Sequence, residues 1–165
     1  LENQFGVGDV VEIGGVTGTE ETVNVRSTRL RQLNGTLRII PNGEITAVAN
    51  LTRDWSRVLS HIGIAYDSDI ALVEKTVNEV GQRMLNSPDW SNRLLEAPNF
   101  VGVTALGDSA ITVRTMCKVP PGEQWAVERE LNRRLWSAFD GVGIDIPFPQ
   151  QVVWHKNESP QPRES

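Results

Sequence analysis

Short β-branched segments, nearly every one followed by Gly or Asn-Gly, fill the chain between residues 5 and 43. Segments of this length with a turn residue at nearly every break are typical of a small, strongly bent β-barrel. Asn34-Gly35 lies between two of them and is the dipeptide that type I′ turns prefer, so a hairpin is expected there. Gly14-Gly15 tolerates another tight turn. The strands expected in this half are 10–13, 16–20, 23–31, 37–40 and 45–50.

The strand expected over 23–31 changes its pattern in the middle. Residues 23–26 alternate apolar and polar side chains, and residues 28–31 alternate in the opposite phase. A bulge or corner near Ser27 would bring both apolar sets onto one face. One long bent strand is therefore predicted. The later strand ends at Pro41, because proline lacks the N–H group that a central ladder requires.

Two stretches of the second half have apolar residues at helical spacing. From Ile70 to Met84 they recur three and four residues apart, which predicts an amphipathic helix that ends at 86–88. A second helix with the same kind of apolar stripe is predicted over about 123–140, after a Pro-Pro-Gly break. Ser68 or Asp67 can cap the start of the first helix. Gly141 or Gly143 can end the second helix.

Strand-like segments surround these two helices at 58–66, 99–106, 110–119 and 144–154. The resulting order of strand, helix, strand, strand, helix, strand is the split βαβ, ferredoxin-like pattern. Pro147 and Pro149 confine the closing strand to an edge or to an irregular end.

The polar stretch 52–57 separates the two patterns, so a domain boundary is expected there. The first domain then covers 1–52 and the second covers 53–155. Residues 156–165 are polar and contain proline, which predicts a disordered tail.

Composition limits the function classes. Acidic residues exceed Lys and Arg by five, so nucleic acid and acidic membrane surfaces are not expected as default partners. One cysteine excludes an internal disulfide and favours a cytoplasmic location. No stretch approaches the roughly 20 apolar residues that span a bilayer, so the chain as given is expected to be soluble. It starts without Met, which suggests a fragment of something longer.

Four arginines fall close together in the barrel stretch and are interpreted as a solvated strand face. They are Arg26, Arg29, Arg31 and Arg38.

The sequence offers no catalytic, cofactor or metal site. The glycines of 14–18 are not followed by a helix, as a phosphate loop requires, so a turn is the better interpretation. The acidic cluster 67–69 lacks the later ligands of a calcium loop and is interpreted as a helix cap. His61 and His155 with a single cysteine make no zinc set. Cys117 can meet His61 only if their strands adjoin, and a half-buried, unreactive thiol is expected.

Five tryptophans are many for a chain with so few other aromatic residues. Some are expected in the core, and Trp55, at the domain boundary, is a candidate for a subunit or domain contact. The second helix carries a charged face, interpreted as a solvated surface with helical ion pairs that can equally contact a neighbouring subunit. Its members are Glu128, Arg129, Glu130, Arg133 and Arg134.

Several ordered motifs carry a family resemblance over nearly the whole chain. Those that resemble the β-domain of the small-conductance mechanosensitive channel (MscS) family are 5–11, 14–19, 27–31 and 39–43. Those that resemble the carboxy-terminal domain of that family are Ala65-Tyr66-Asp67-Ser68-Asp69 and Ile146-Pro147-Phe148-Pro149-Gln150. The fold class expected is α+β, an Sm-like small β-barrel followed by a ferredoxin-like α/β domain.

The resemblance implies that the chain starts where a pore-lining helix ends. It would then be the cytoplasmic vestibule of a tension-gated channel, a homoheptamer that lies beneath the inner membrane and joins it through pore helices absent from this chain. Ions and small solutes would pass through the vestibule and be released on hypo-osmotic shock. No enzymatic activity is implied.

Two other function classes stay open on the residues alone. Sm-like barrels and ferredoxin-like sheets also serve as ring-forming nucleic-acid-binding modules, which need exposed aromatic residues on the sheet and a basic footprint. The acidic balance of the chain disfavours this alternative. A small hydrolase or ligand-binding domain is disfavoured because no catalytic constellation is present.

Overall fold

The computed structural model describes residues 4–153 of the 165-residue chain. Antiparallel sheets and two helices make it an α+β fold, as predicted from the sequence. Its strands and α-helices are β1 Val10–Ile13, β2 Val16–Val23, β3 Ser27–Arg31, β4 Leu37–Pro41, β5 Val48–Asn50, β6 Ser56–Ile64, α1 Ile70–Leu85, β7 Asn99–Leu106, β8 Ile111–Val119 and α2 Gln124–Val142.

The first five strands form one antiparallel sheet in the order β4-β3-β2-β1-β5. Its inward side chains surround a small core of Val11, Ile13 and Leu30. Gly14 and Gly15 both have positive φ, 57° and 80°, and join β1 to β2 in a two-residue turn. A side chain with a Cβ strains at both angles, so glycine suits both positions.

The prediction of one long bent strand over 23–31 is wrong. Residue 24 begins a turn, because the Asn24 carboxamide oxygen accepts hydrogen bonds from the N–H groups of Arg26 and Ser27 at 2.9 and 2.8 Å. The chain reverses there, and β3 pairs antiparallel with β2. The opposite phases of the two segments therefore belong to two strands. The bulge lies between Glu20 and Thr22 and not near Ser27.

The hairpin predicted at Asn34-Gly35 is confirmed, since β3 pairs with β4 across it. Its turn is not type I′, because only Gly35 has a positive φ, at 87°. The N–H of Gly35 donates to the carbonyl of Gln32 at 2.9 Å, and the N–H of Gln32 donates to Thr36 at 2.8 Å. These bonds close a three-residue loop with glycine in the left-handed position, the next most common hairpin connection.

The remaining three strands form a second antiparallel sheet in the order β6-β8-β7, with both helices packed on one face. Alternate residues of β8 are buried against the helices, from Ile111 to Val119. The carboxylate of Asp69 caps α1 by accepting from the N–H groups of Ala71 and Leu72. The acidic cluster is thus a helix cap, although the cap is Asp69 and not Ser68 or Asp67 as predicted.

Gly143 ends α2 in the left-handed conformation, with φ at 74°, as one of the two predicted glycines. The closing strand predicted over 144–154 does not form in the part that the structure describes, which ends at residue 153. The carbonyl of Asp145 accepts from the N–H of Ala65 at 2.9 Å, so the chain does return to the free edge of β6. Pro147 and Pro149 then have no N–H to continue a ladder. The tail predicted over 156–165 lies outside the described residues.

Candidate functional site

Strands β6 and β8 present side chains on the sheet face that the helices leave uncovered. Three directly opposed pairs lie along this face. Leu59 at its centre is 46% exposed. We call this surface the open sheet face, and its members are the pairs Arg57 with Lys118, Leu59 with Met116, and His61 with Arg114.

Trp55 extends the open sheet face beyond the start of β6. Two cations lie over its ring, which is 44% exposed: the Arg57 guanidinium is 4.9 Å and the Lys118 ammonium 4.6 Å from the ring centroid. Cation–π attraction of this kind stabilises a pair by about 0.5–1 kcal/mol at exposed sites. The indole therefore holds two like charges side by side at one end of the face.

The other end of the face is also basic. Arg114 donates a hydrogen bond from Nε to Nε2 of His61 at 2.9 Å. Among the outward positions of β6, β7 and β8 no side chain is acidic. This arrangement of three cations around Leu59 and Met116 can bind an anionic partner.

A cleft of about 440 Å³ lies between α1 and α2 on the side away from the sheet. Arg133 and Arg134 both donate to the carboxylate of Glu130, at 2.6–3.0 Å and 2.8 Å. These hydrogen bonds, the one from Arg133 foremost, lower the pKa of Glu130 to about 2. The ion pairs predicted on the second helix are present, and they neutralise part of the cleft.

The structure separates the two residues that a thiol site would combine. Cys117 faces the helices and is fully buried, whereas His61 lies on the open sheet face, so the two are on opposite sides of one sheet. Cys117 is therefore more buried than the half-buried thiol expected from sequence. His155 lies outside the described residues. Between residues 4 and 153 no three His, Cys, Asp or Glu side chains are placed to hold a metal ion.

Cys117 should not react with thiol reagents while the protein is folded. Burial, and then the charge of Glu96, raise the pKa of its thiol to about 12, so the thiolate is scarce at neutral pH. We expect no labelling by a disulfide reagent at pH 8 and complete labelling in guanidinium chloride. The variant Ser137→Cys, on the exposed face of α2, is the matched control and should label once in the native state. Rapid native labelling of Cys117 would contradict the packing described here.

The tryptophans of the described residues divide between the core and the surface. Trp90 packs against the core, while Trp125 and Trp136 are 39% and 66% exposed on α2. Trp154 lies outside the described residues. The arginines predicted on a solvated strand face, Arg26, Arg29, Arg31 and Arg38, are all exposed.

Sequence reasoning missed two features. The Arg57 and Lys118 cluster was not visible, because the two residues are 61 positions apart and meet only through strand pairing.

Glu20 was also missed. Its side chain is 1% exposed, and neither carboxyl oxygen has a hydrogen-bond partner. Its position in β2, two residues after buried Gly18, is the signal that could have identified it, since alternate residues of a strand share one face.

Helices that could cross a membrane are absent from residues 4–153. The family model described as the mechanosensitive ion channel β-domain matches residues 1–53. The model described as the C-terminal domain of the mechanosensitive ion channel MscS matches residues 58–146. The two matches follow one another along the chain.

Named relatives agree with these matches. The small-conductance mechanosensitive channel of Caldanaerobacter subterraneus is 36% identical over 93% of this chain and 53% of its own length. The moderate conductance mechanosensitive channel YbiO of Escherichia coli is 30% identical over 93% of this chain and 21% of its own length. Among solved structures, the closed state of Helicobacter pylori MscS matches with a TM-score of 0.78 and 28% identity, over 94% of this chain and 61% of that one.

These relatives are mechanosensitive ion channels and not enzymes. The chain spans about half the length of the first of them. Two consecutive family models, relatives at 30–36% identity and a common fold lead to one assignment. This chain belongs to the MscS family of mechanosensitive ion channels.

Proposed function

We propose that this chain forms the cytoplasmic vestibule of a tension-gated, MscS-like channel that releases ions and small solutes on hypo-osmotic shock. The observation that carries the proposal is the match of the β-domain and C-terminal family models, in that order, over residues 1–53 and 58–146. The vestibule performs no covalent chemistry. Membrane tension does the work of opening through the difference in area between the closed and open channel.

We also propose the assembly and the division of the chain that this function needs. Several copies, seven by family resemblance, would surround one permeation path at the cytoplasmic face of the inner membrane. Pore helices of the parent protein would connect them to the bilayer. The chain would divide into a β-barrel over 1–52 and an α/β domain over 53–155. The two sheets, whose strands are separated by residues 51–55, support this division.

The test is a recording of suction-evoked current from liposome patches that contain the full-length parent protein. We expect stepwise currents whose open probability rises with tension. Patches from liposomes without protein are the control for leaks. Silence from correctly assembled, membrane-inserted protein would overturn tension gating, whatever the architecture of the vestibule.

A further inference from the structure

We infer that the open sheet face is a contact between copies of this chain and receives an acidic surface of a second copy. This inference rests on the assembly in the proposed function and specifies which surface of the chain forms the contact. It is drawn from the charges, exposure and cross-strand pairs of strands β6 and β8.

Two neighbouring cations of the open sheet face form no ion pair with a carboxylate. Arg57 and Lys118 lie directly opposite one another in the ladder, where like charges destabilise a sheet. Cation–π attraction to the Trp55 ring offsets part of this repulsion, because both cations lie over the ring. Neither the Arg57 nor the Lys118 side chain belongs to an ion pair of the described residues, and the Glu96 carboxylate beside Lys118 is bonded to the Lys118 N–H at 2.9 Å. Carboxylates from outside the chain would complete the site.

The charge of the open sheet face is opposite to the net charge of the rest of the chain. The chain has 16 basic and 21 acidic residues. Without Arg57, Arg114 and Lys118 it keeps 13 basic residues, a balance of −8 on the rest of the chain. A second copy therefore carries a strong net negative charge outside its own open sheet face, and that part can contact the face of the first copy. Complementary potentials of this kind favour association and select its orientation.

The centre of the open sheet face is apolar. Leu59, 46% exposed, and Met116 lie opposite one another between the two basic ends. Protein interfaces combine an apolar centre with a charged rim, and Trp, Met and Arg are enriched in them. The open sheet face has this composition on a rigid strand pair.

A single-stranded nucleic acid fits the same face less well. Bases stack on open aromatic rings, and two cations already contact the ring of the half-exposed Trp55. The centre of the sheet offers Leu59 and Met116, which cannot stack with bases as aromatic rings do. The structure therefore favours a protein surface rich in carboxylates.

The test is zero-length cross-linking of the full-length parent assembled from a mixture of ¹⁴N- and ¹⁵N-labelled subunits. A carbodiimide joins a lysine only to a carboxylate in direct contact. We expect peptides that join Lys118 of one isotope to an Asp or Glu of the other. Lys118 joined only within its own chain, or joined to nothing in an intact assembly, would overturn the inference and leave the channel proposal standing. A parent that is monomeric by native mass spectrometry would overturn both.

Variants give the second readout. Leu59→Asp should lower the apparent association constant of the parent by at least about tenfold, the size of an interface hot spot. Leu106→Asp, at a side chain 74% exposed at the end of β7, is the matched control and should assemble as the unaltered chain does. Circular dichroism checks that both remain folded. Equal assembly of the two variants would contradict the inference, as would tight, salt-sensitive RNA binding that Arg114→Glu abolishes without any change in assembly.

Discussion

Replacing Gly81 by alanine should destabilise the chain by about 3 kcal/mol, a large share of the 5–15 kcal/mol that stabilises a typical domain. Gly81 lies on the buried side of α1, where the helix backbone contacts the segment before β7. A Cβ at this position would come within 1.8 Å of the carbonyl oxygen of Pro98 and 2.8 Å of its carbonyl carbon. Both are backbone atoms, so relief requires the helix or the segment to move.

The matched control for Gly81 is Gly141→Ala, in the last turn of α2. Nothing lies within 4 Å of a Cβ built at Gly141. Alanine has the better helix propensity, so this variant should gain up to about 1 kcal/mol. Guanidinium unfolding followed by tryptophan fluorescence measures both changes. Equal loss of stability in the two variants would show that close packing of α1 on Pro98 is not the cause.

Replacing Glu20 by leucine should stabilise the chain by about 1–3 kcal/mol, which is the cost of a buried polar group without a partner. The carboxyl group of Glu20 is enclosed in the first sheet beside Leu30, its cross-strand partner. Burial, and then the charge of Asp9, raise the pKa of Glu20 above its ordinary value of 4.5. Asp9 itself accepts hydrogen bonds from the N–H of Gly6 and the carboxamide of Asn50, at 3.0 and 2.9 Å.

The raised pKa also predicts how stability depends on pH. The native state holds the Glu20 proton more tightly than the unfolded state, so this group favours folding below pH 4.5 and opposes it as pH rises through the native pKa. Over this window the unaltered chain should therefore lose stability relative to Glu20→Leu. Denaturant midpoints measured across the window check the difference.

Glu21→Leu is the control for the neighbouring carboxylate. Glu21 is exposed and paired with Arg31 at 2.7 Å, and the hydrogen bond from Arg31 lowers its pKa. Glu20 is unchanged in the Glu21→Leu variant, so the loss of stability that Glu20 causes at higher pH should remain. If Glu20→Leu is less stable than the unaltered chain throughout, the carboxyl group has a favourable role in the barrel and the prediction is wrong.

Local patterns in the sequence determined the helices and most of the strands. The helical spacing from Ile70 predicted the start of α1, which runs as Ile70–Leu85, and the strand-like segments 10–13 and 99–106 have the bounds of β1 and β7. These elements were predictable because each depends on the side chains of its own segment. The family motifs were readable for the same reason, since each is a short run of adjacent residues.

Tertiary structure alone decided which segments adjoin and what their side chains contact. The turn at Asn24 replaced a bent strand, because one carboxamide bonded two N–H groups. Glu20 is a polar residue, yet its place in β2 buries it. Strand pairing brought Arg57 to Lys118, which no local pattern contains. Pairing depends on the sum of contacts across the whole sheet, and periodicity specifies a face of a strand but not its partner.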